Sequence, residues 1–236
     1  MHTQKSVPAT PAVSTRGAAG GQLQVVCFST YVSDPVRQQP LHRDARNFLL
    51  ALRGERIEGE SRIPVGGEER LLSATNANDS IDWFGEMAAR YLTDNGYPRR
   101  LALLPVPTSR TTLESSAGPW TSLLAISIAS NGLEDADIVD ALRWRSPLPP
   151  PGHRSSTAAE LFENLAVTRR LDTDVPLVLV DYLYTSSATL RACAGRLREK
   201  GAQIPLAVCA GRTTDQASHA AFTAVLGEMT AFEPGH

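Results

Sequence analysis

The chain has few cysteines, no excess of charge and no long apolar run, and each shortage excludes a class of protein. The three cysteines, Cys27, Cys193 and Cys209, are odd in number and too widely spaced for a zinc module, so we expect reduced, buried thiols. The formal net charge of -2 gives no long-range attraction to nucleic acid or anionic lipid. No apolar run approaches the ~20 residues of a membrane span, and the first residues lack the apolar middle of a signal peptide. We therefore expect a cytoplasmic protein with no membrane partner and no nucleic-acid role that follows from charge.

The length and the composition are those of one globular domain with appendages. A chain of 236 residues buries one sizeable core, and 42% hydrophobic and 20% charged residues are ordinary for a globular protein. Residues 1–21 are rich in Ser, Thr, Pro, Ala and Gly without periodicity, so they lack the apolar area that would offset the entropy of ordering. We predict a disordered tail there, a small amino-terminal hood over residues 22–100, and a core over residues 101–236.

Short apolar runs alternate with stretches of helical spacing, which predicts an α/β fold. The predicted strands are Leu23–Phe28, Leu101–Val106, Asp137–Leu142, Leu177–Val180 and Ile204–Ala210. Four helices are predicted over Arg43–Arg53, Thr121–Ser130, Ala188–Lys200 and His219–Met229. Two more are predicted, one that Asp79 or Ser80 caps and that ends before Gly96, and one that ends at Asn164. The alternation from Leu101 to Ala210 predicts a mostly parallel central sheet flanked by helices. In such a sheet, ligands bind beyond the carboxyl ends of the strands.

Three connecting segments have signatures of their own. Arg62–Leu72 is predicted as a loop or short hairpin that turns at the two glycines Gly66 and Gly67. The proline-rich segment Arg143–Arg154 is predicted as an exposed loop. The helix through Asn164 has Ser156 or Thr157 as its cap, and Glu160 completes a capping box if Thr157 is that cap.

The stretch Leu177–Leu190, LVLVDYLYTSSATL, combines a buried strand with a hydroxyl-rich turn and a helix. We predict that the strand ends at Asp181, and four hydroxyl side chains follow: Thr185, Ser186, Ser187 and Thr189. An anion is favoured at such a turn, because the first N–H groups of a helix have no backbone partner and carry partial positive charge. Asp181 could hold hydroxyls or Mg²⁺ nearby, so a sugar phosphate suits both ends of the site. The alternative is an ordinary strand-to-helix turn in which Thr and Ser act as helix caps.

A second polar loop, Pro107–Thr112, follows the predicted strand Leu101–Val106. Prolines stop the strand, and Ser109 and Arg110 are the types of side chain that bind a pyrophosphate. A solvated surface loop is the alternative. In a parallel sheet this loop and the hydroxyl-rich turn would lie at the same edge.

These residues resemble the phosphoribosyl-pyrophosphate motif of the type I phosphoribosyltransferases. In that motif a hydrophobic strand leads to two acidic residues, two spacers, two hydroxyl residues, a glycine and a further threonine. Asp181 and Tyr182 occupy the acidic positions here, and Ser187 replaces the glycine. The resemblance implies that a 5′-phosphate is bound by Thr185, Ser186, Ser187, Ala188 and Thr189. It also implies that Asp181 and Tyr182 face the ribose.

Further segments are similar to the ComF subgroup of that family, and together they cover Leu101 to Arg212 in order. Leu103–Arg110 resembles the subgroup's PVP strand end, Gly118–Ala125 its GFNQ helix start, and His153–Val167 its arginine- and asparagine-containing segment. Trp120 and Thr121 replace the Asn and Gln, and the paired-cysteine zinc module of the subgroup is absent. Before Leu101 the resemblance is confined to Asp44–Gly54.

The resemblance implies a phosphoribosyltransferase that uses phosphoribosyl pyrophosphate with Mg²⁺. Ser109 and Arg110 would meet the pyrophosphate, and Asp181 would bind the metal. Asp181 and Arg154 would act in catalysis, and His153 or Arg154 would close over the donor. The acceptor base cannot be identified, because the hood that holds it in this fold is variable. The alternative is a catalytically inactive module on the same fold that binds a nucleotide, a protein partner or a second copy of itself. ComF proteins are also associated with DNA uptake, but the charge of this chain does not support a DNA partner.

Overall fold

A computed structural model describes residues 22–32, 39–149, 156–215 and 221–234. The predicted tail and the residues His153 and Arg154 lie outside these ranges. The described residues form the following elements in chain order: β1 (Gln22–Val32), α1 (Pro40–Leu52), β2 (Ser61–Val65), β3 (Glu68–Leu72), α2 (Asp79–Asp94), β4 (Ala102–Pro105), α3 (Thr121–Ser130), β5 (Asp137–Ile138), β6 (Leu142–Trp144), α4 (Ala158–Asn164), β7 (Leu165–Val167), β8 (Leu177–Tyr184), α5 (Ala188–Arg198), β9 (Leu206–Thr214) and β10 (Val225–Thr230).

A mostly parallel six-stranded sheet forms the centre of the molecule, in the order β10-β1-β9-β8-β4-β5. The strands β1, β9, β8, β4 and β5 run parallel, and β10 pairs antiparallel with β1 at one edge. The predicted α/β fold with a mostly parallel sheet is therefore confirmed. Two small antiparallel pairs, β2 with β3 and β6 with β7, lie outside the main sheet.

Helices cover both faces of the sheet and form two hydrophobic clusters. Val178 and Val180 of β8 join the cluster that contains apolar residues of α1, α2 and α3. Leu177 and Leu179 join the second cluster, which contains apolar residues of α4 and α5. Because alternate residues face opposite layers, this strand is apolar without interruption. We call the two sides the α1–α3 face and the α4–α5 face.

The connections leave the middle of the sheet in opposite directions. From β4 the chain crosses the α1–α3 face through α3 to reach β5, whereas from β8 it crosses the α4–α5 face through α5 to reach β9. The strands β4 and β8 are neighbours, with Pro105 opposite Val180. A crevice forms outside the carboxyl ends of two strands whose connections diverge in this way, and it is the usual ligand site of an open parallel sheet.

Several predicted boundaries agree closely with the structure. The helix Thr121–Ser130 has the predicted bounds, and β2 and β3 form the hairpin whose turn is Gly66 and Gly67, at φ values of 65° and 92°. Thr157 and Glu160 form the predicted capping box of α4. All three cysteines are buried and free, as expected.

Four predictions about the elements are wrong. The segment His219–Met229 is not a helix in its described part, because Val225–Thr230 is the strand β10, whose backbone pairs with β1. Trp144 lies in β6 and is fully buried rather than in an exposed loop, since the prolines that argued for a loop begin only at Pro147. The predicted strand Asp137–Leu142 is divided between β5 and β6, which belong to different sheets. Neither Asp79 nor Ser80 caps α2, which starts after Asn78 without a side-chain cap.

Three strands continue past their predicted ends. Strand β8 does not end at Asp181 but continues to Tyr184, because pairing with β9 persists through Leu183 and Tyr184. Strand β9 continues to Thr214 in the same way, and β1 runs from Gln22 to Val32. Strand β1 also lies inside the main sheet, so the first residues of the predicted hood contribute a central strand. The division at residue 100 stays a prediction.

Candidate functional site

The candidate site lies where the carboxyl ends of β4 and β8 meet. The N–H of Val106 donates to the carbonyl of Val180 at 2.9 Å, so the two strands remain paired up to this point. The Pro107–Arg110 loop leaves β4 here, whereas β8 continues to Tyr184 before the Thr185–Ser187 turn. The structure therefore places the two predicted polar segments at one edge of the sheet.

Only three residues, Thr185 to Ser187, connect β8 to α5. Thr185 and Ser186 are exposed, and Ser187 precedes the helix without forming a side-chain cap. Within the described ranges, the hydroxyls of the turn and of Thr189 accept or donate no hydrogen bond. The alternative in which these hydroxyls cap the helix is thus not observed. The turn presents unpaired hydroxyls beside the first N–H groups of α5, including that of Ala188.

Asp181 lies on the α4–α5 face, two residues after Leu179. Its Oδ1 accepts the N–H of Tyr182 at 2.7 Å, and it is paired across the sheet with Cys209. Part of the residue remains accessible, but burial of the carboxyl group raises the pKa of Asp181 to about 6. Burial raises the pKa of the Cys193 thiol in α5, and the negative charge of Asp181 raises it further. Asp181 is therefore a carboxylate whose protonation changes near neutral pH.

Tyr182 points to the opposite, α1–α3 face. Its hydroxyl donates to the carbonyl of Leu49 at 2.8 Å, its ring meets Trp120 edge to face at 5.3 Å, and Arg53 lies over the ring at 5.6 Å. Burial raises the pKa of Tyr182, while the adjacent Arg53 acts in the opposite direction. Leu49 belongs to the last turn of α1, whose carbonyls lack helical partners, so Tyr182 caps that helix from a neighbouring strand. The hydroxyl expected at the ribose is thus engaged in a structural contact.

The loop after β4 has a fixed backbone and free side chains. The indole N–H of Trp144 donates to the carbonyl of Thr108 at 3.0 Å, and the N–H of Leu148 donates to the carbonyl of Ser109 at 2.9 Å. The side chains of Ser109 and Arg110 are exposed and have no hydrogen-bond or ion-pair partner among the residues that the structure describes. They extend from a rigid loop toward solvent, as groups that bind a ligand phosphate would.

A magnesium ion would have few protein ligands here. In the described part of the chain, no group of three or more His, Cys, Asp or Glu side chains is arranged to hold a metal ion. Asp181 is the candidate carboxylate, and Mg²⁺ is commonly held by one or two carboxylates together with substrate phosphates. Binding of magnesium at this site stays a prediction.

One further residue, Arg212, lies at this edge, although the sequence pattern did not indicate it as a site residue. Arg212 of β9 is paired with Tyr184 of β8 on one side and with Thr30 of β1 on the other. The segment Gly211–Thr214 was predicted to lie beyond the strand, so its register against β8 was not foreseen. The signal in the sequence was an arginine immediately after an apolar run, in the position where the other parallel strands place polar residues.

One surface depression lies elsewhere, between the β2–β3 hairpin and α2. Its walls include Phe28, Met87, Arg90, Tyr91 and Gly66. These residues lie on the α1–α3 face, toward the end of α2 that precedes β4. The depression is separate from the crevice at the carboxyl ends of β4 and β8.

This chain matches neither a known protein-family model nor a curated protein. Among the helices described, not one has the length and apolar character to cross a membrane.

Proposed function

We propose that this protein binds a ribose 5-phosphate group, as phosphoribosyl pyrophosphate or a nucleotide, and that its fold is of the type I phosphoribosyltransferase kind. The observation that carries the proposal is that two polar segments follow the carboxyl ends of the neighbouring strands β4 and β8. The loop after β4 exposes Ser109 and Arg110, and the turn before α5 has hydroxyls without a partner among the described residues. The diverging connections make the crevice outside those strand ends the expected ligand site of the sheet.

Each group of residues suits one part of such a ligand. The hydroxyls and N–H groups of Thr185–Thr189 would hold the 5′-phosphate, because they are donors at the positive end of a helix. Asp181 would accept hydrogen bonds from the ribose hydroxyls. Ser109 and Arg110 would bind the pyrophosphate, and Arg110 could do so with two parallel hydrogen bonds.

A transfer reaction at this site would depend on positioning and charge. The bond from the ribose C1 to the pyrophosphate oxygen would break, and its electron pair would leave with the pyrophosphate. A bond from C1 to a nitrogen of the acceptor would form, and the proton of that nitrogen would pass to solvent. The positive charge that develops on the sugar would be close to the carboxylate of Asp181. Mg²⁺, held by Asp181 and the phosphates of the donor, would neutralise the departing pyrophosphate.

The structure also favours a second candidate, a binding module without catalysis. Tyr182 occupies the position of the second acid of the family motif, and its hydroxyl is already bonded to Leu49. One carboxylate thus remains for ribose and metal together. Such a protein would bind the donor or a nucleotide as a regulator and would release no pyrophosphate.

Calorimetry on the purified protein tests the binding site directly. Ribose 5-phosphate and phosphoribosyl pyrophosphate, each with Mg²⁺, are titrated into the parent and into the double variant Thr185→Val with Thr189→Val. We expect at least about tenfold weaker binding in the variant, because hydrogen bonds to a charged phosphate are lost. Thr173→Val is the matched control, since Thr173 precedes β8 at the opposite end of the strand. Equal affinity in the parent and the double variant would place the site elsewhere.

Release of pyrophosphate separates the two candidate functions. The parent is incubated with phosphoribosyl pyrophosphate, Mg²⁺ and a panel of purine, pyrimidine and small amine acceptors. Rapid release with any acceptor rejects the binding module, and binding of the donor without release rejects the enzyme for that panel.

A further inference from the structure

We infer that Arg212 is a further binding residue of the candidate site and that its charge makes the site select a phosphorylated sugar over the free sugar. This inference rests on the proposed function and deepens it. Three features support it: the register of three strands, the hydrogen bond of the Arg212 side chain, and the path of the chain between β8 and α5.

The register places Arg212 next to the hydroxyl-rich turn. Arg212 pairs directly with Tyr184, the last residue of β8, and neighbouring strands are about 4.8 Å apart. Thr185, the first residue of the turn, follows immediately. Burial raises the pKa of the Tyr184 phenol, and the positive charge of Arg212 acts on it in the opposite direction, which places the guanidinium near that ring. Tyr184 packs against the cluster of the α4–α5 face, so Arg212 lies on the side where α5 begins.

The turn runs across the end of β9 on its way to α5. Arg191 of α5 donates to the carbonyl of Thr230 in β10 at 2.9 Å, and Arg198 donates to the carbonyl of Gln22 in β1 at 2.6 Å. The helix therefore lies over the part of the sheet that contains β1 and β10. A chain that leaves β8 and enters this helix within three residues must pass the carboxyl end of β9, where Arg212 lies.

Arg212 is held in place but has no anionic partner among the residues that the structure describes. Its Nε donates to Oγ1 of Thr30 at 3.1 Å, and Thr30 is fully buried. Among the residues described, the two terminal nitrogens of Arg212 have no acceptor, and no carboxylate forms an ion pair with this guanidinium. A partly buried arginine that is oriented on a central strand and lacks a counter-charge is suited to an anionic ligand.

The chemical consequence is selectivity for the phosphate. Hydroxyls and helix N–H groups bind sugars as well as phosphates, since both accept hydrogen bonds. A guanidinium adds charge-assisted hydrogen bonds, which only the phosphate can accept at full strength. Loss of Arg212 should therefore weaken binding of ribose 5-phosphate while leaving binding of ribose unchanged.

Calorimetry with ribose 5-phosphate and with ribose, on the full chain, tests this inference. The variants are Arg212→Met, which keeps the length of the side chain without the charge, and Arg212→Lys, which keeps the charge without the planar group. We expect about tenfold or greater loss of affinity for ribose 5-phosphate in Arg212→Met and a smaller loss in Arg212→Lys. Arg99→Met is the control, because Arg99 is exposed, lies before β4 at the other end of the sheet, and has no partner among the described residues.

The outcomes separate this inference from the proposed function. Absence of ribose 5-phosphate binding in the parent overturns both. Binding in the parent that is equally strong in Arg212→Met overturns the role of Arg212 and leaves the proposed function intact. Equal losses for ribose and ribose 5-phosphate also overturn it, because they indicate a structural role. Thermal melting checks that each variant is folded. If Arg212→Met is not folded, the test uses Arg212→Lys, in which the ratio of the affinity for ribose 5-phosphate to that for ribose should be lower than in the parent.

Discussion

Asp181 and Tyr182 are adjacent in the chain but have separate surroundings at the end of β8. Asp181 faces the layer of α5 and the cysteines, whereas Tyr182 faces the layer of α1 and α3. A ligand at the start of α5 would therefore meet the carboxylate and not the phenol. The hydroxyl of Tyr182 instead caps α1 through the carbonyl of Leu49.

The raised pKa of Asp181 makes stability depend on pH. Its folded value of about 6 lies above the ordinary 3.8, so the unfolded chain loses this proton first as pH rises. The stabilising effect of the neutral form is complete below about pH 4 and is lost as pH rises through about 6. Asp181→Asn should therefore be more stable than the parent by ~2 kcal/mol at pH 7.5 and equally stable near pH 4.

Urea denaturation at several pH values measures this difference. Asp135→Asn is the control, because Asp135 is exposed and has no ion-pair partner in the described part of the chain. A stability difference that is the same at every pH would contradict the assigned ionisation of Asp181.

The hydroxyl of Tyr182 should contribute to stability through its bond to Leu49. Tyr182→Phe removes the donor and leaves a carbonyl of the last turn of α1 without a partner, so we expect a loss of about 1 kcal/mol. Tyr97→Phe is the control, since the Tyr97 hydroxyl has no hydrogen bond within the described ranges. Chemical denaturation measures the free energy of unfolding of both variants. Equal losses in Tyr182→Phe and Tyr97→Phe would argue against the capping role. Tyr182→Asp should be worse, because it places a negative charge beside the negative end of α1.

At the scale of elements, the contact between α2 and α3 depends on Gly85. A Cβ at this position would lie 2.6 Å from the carbonyl carbon of Ser127, which is closer than real contacts allow. Alanine normally stabilises a helix relative to glycine. We nevertheless expect Gly85→Ala to destabilise the protein by about 2 kcal/mol or more, because the two helices must move apart.

Thermal and urea denaturation of Gly85→Ala measure this effect. The double variant with Ser127→Ala removes the hydroxyl contact but not the contact with the Ser127 carbonyl group, so it should remain destabilised. Recovery of full stability in the double variant would show that the hydroxyl alone limits the approach of the helices.

The elements that could be predicted are those whose pattern is local. The helix α3 and the capping box of α4 are defined by residues within a few positions, so their bounds agree with the structure. Strand β10 could not be predicted in this way, because it forms to cover the edge of β1, about 200 residues earlier in the chain. Trp144 was misplaced for a similar reason, since its burial depends on the loop after β4.

At the scale of the whole molecule, one part of the candidate site could be predicted from the sequence and another part could not. The position of the Pro107–Arg110 loop and the turn after β8 at the same edge of the sheet was predictable, because carboxyl ends of parallel strands share an edge. The orientation of Tyr182 and the position of Arg212 were not, because they depend on the register of β8, β9 and β1. Ligand binding by these residues stays a prediction.

The antiparallel strand β10 should be important for the solubility of the molecule. It covers one edge of β1, which is buried for most of its length. Ending the chain after Asp215 would expose that edge as a row of unpaired backbone groups beside apolar side chains. We expect the shortened protein to associate, which light scattering detects, whereas Leu226→Lys within the intact strand should leave it dispersed. A shortened chain that remains monomeric would contradict this role.

The position of β1 in the sheet also determines when the protein can fold during synthesis. Ser29 of β1 donates its hydroxyl to the carbonyl of Ala210 across a separation of 181 residues. Both neighbours of β1 come from the last part of the chain, so this apolar strand has no partner while most of the polypeptide is being made. Contacts this distant in sequence form slowly, and exposed strand edges favour aggregation in the meantime. The nascent chain must therefore keep Gln22–Val32 from incorrect pairing until β9 has left the ribosome.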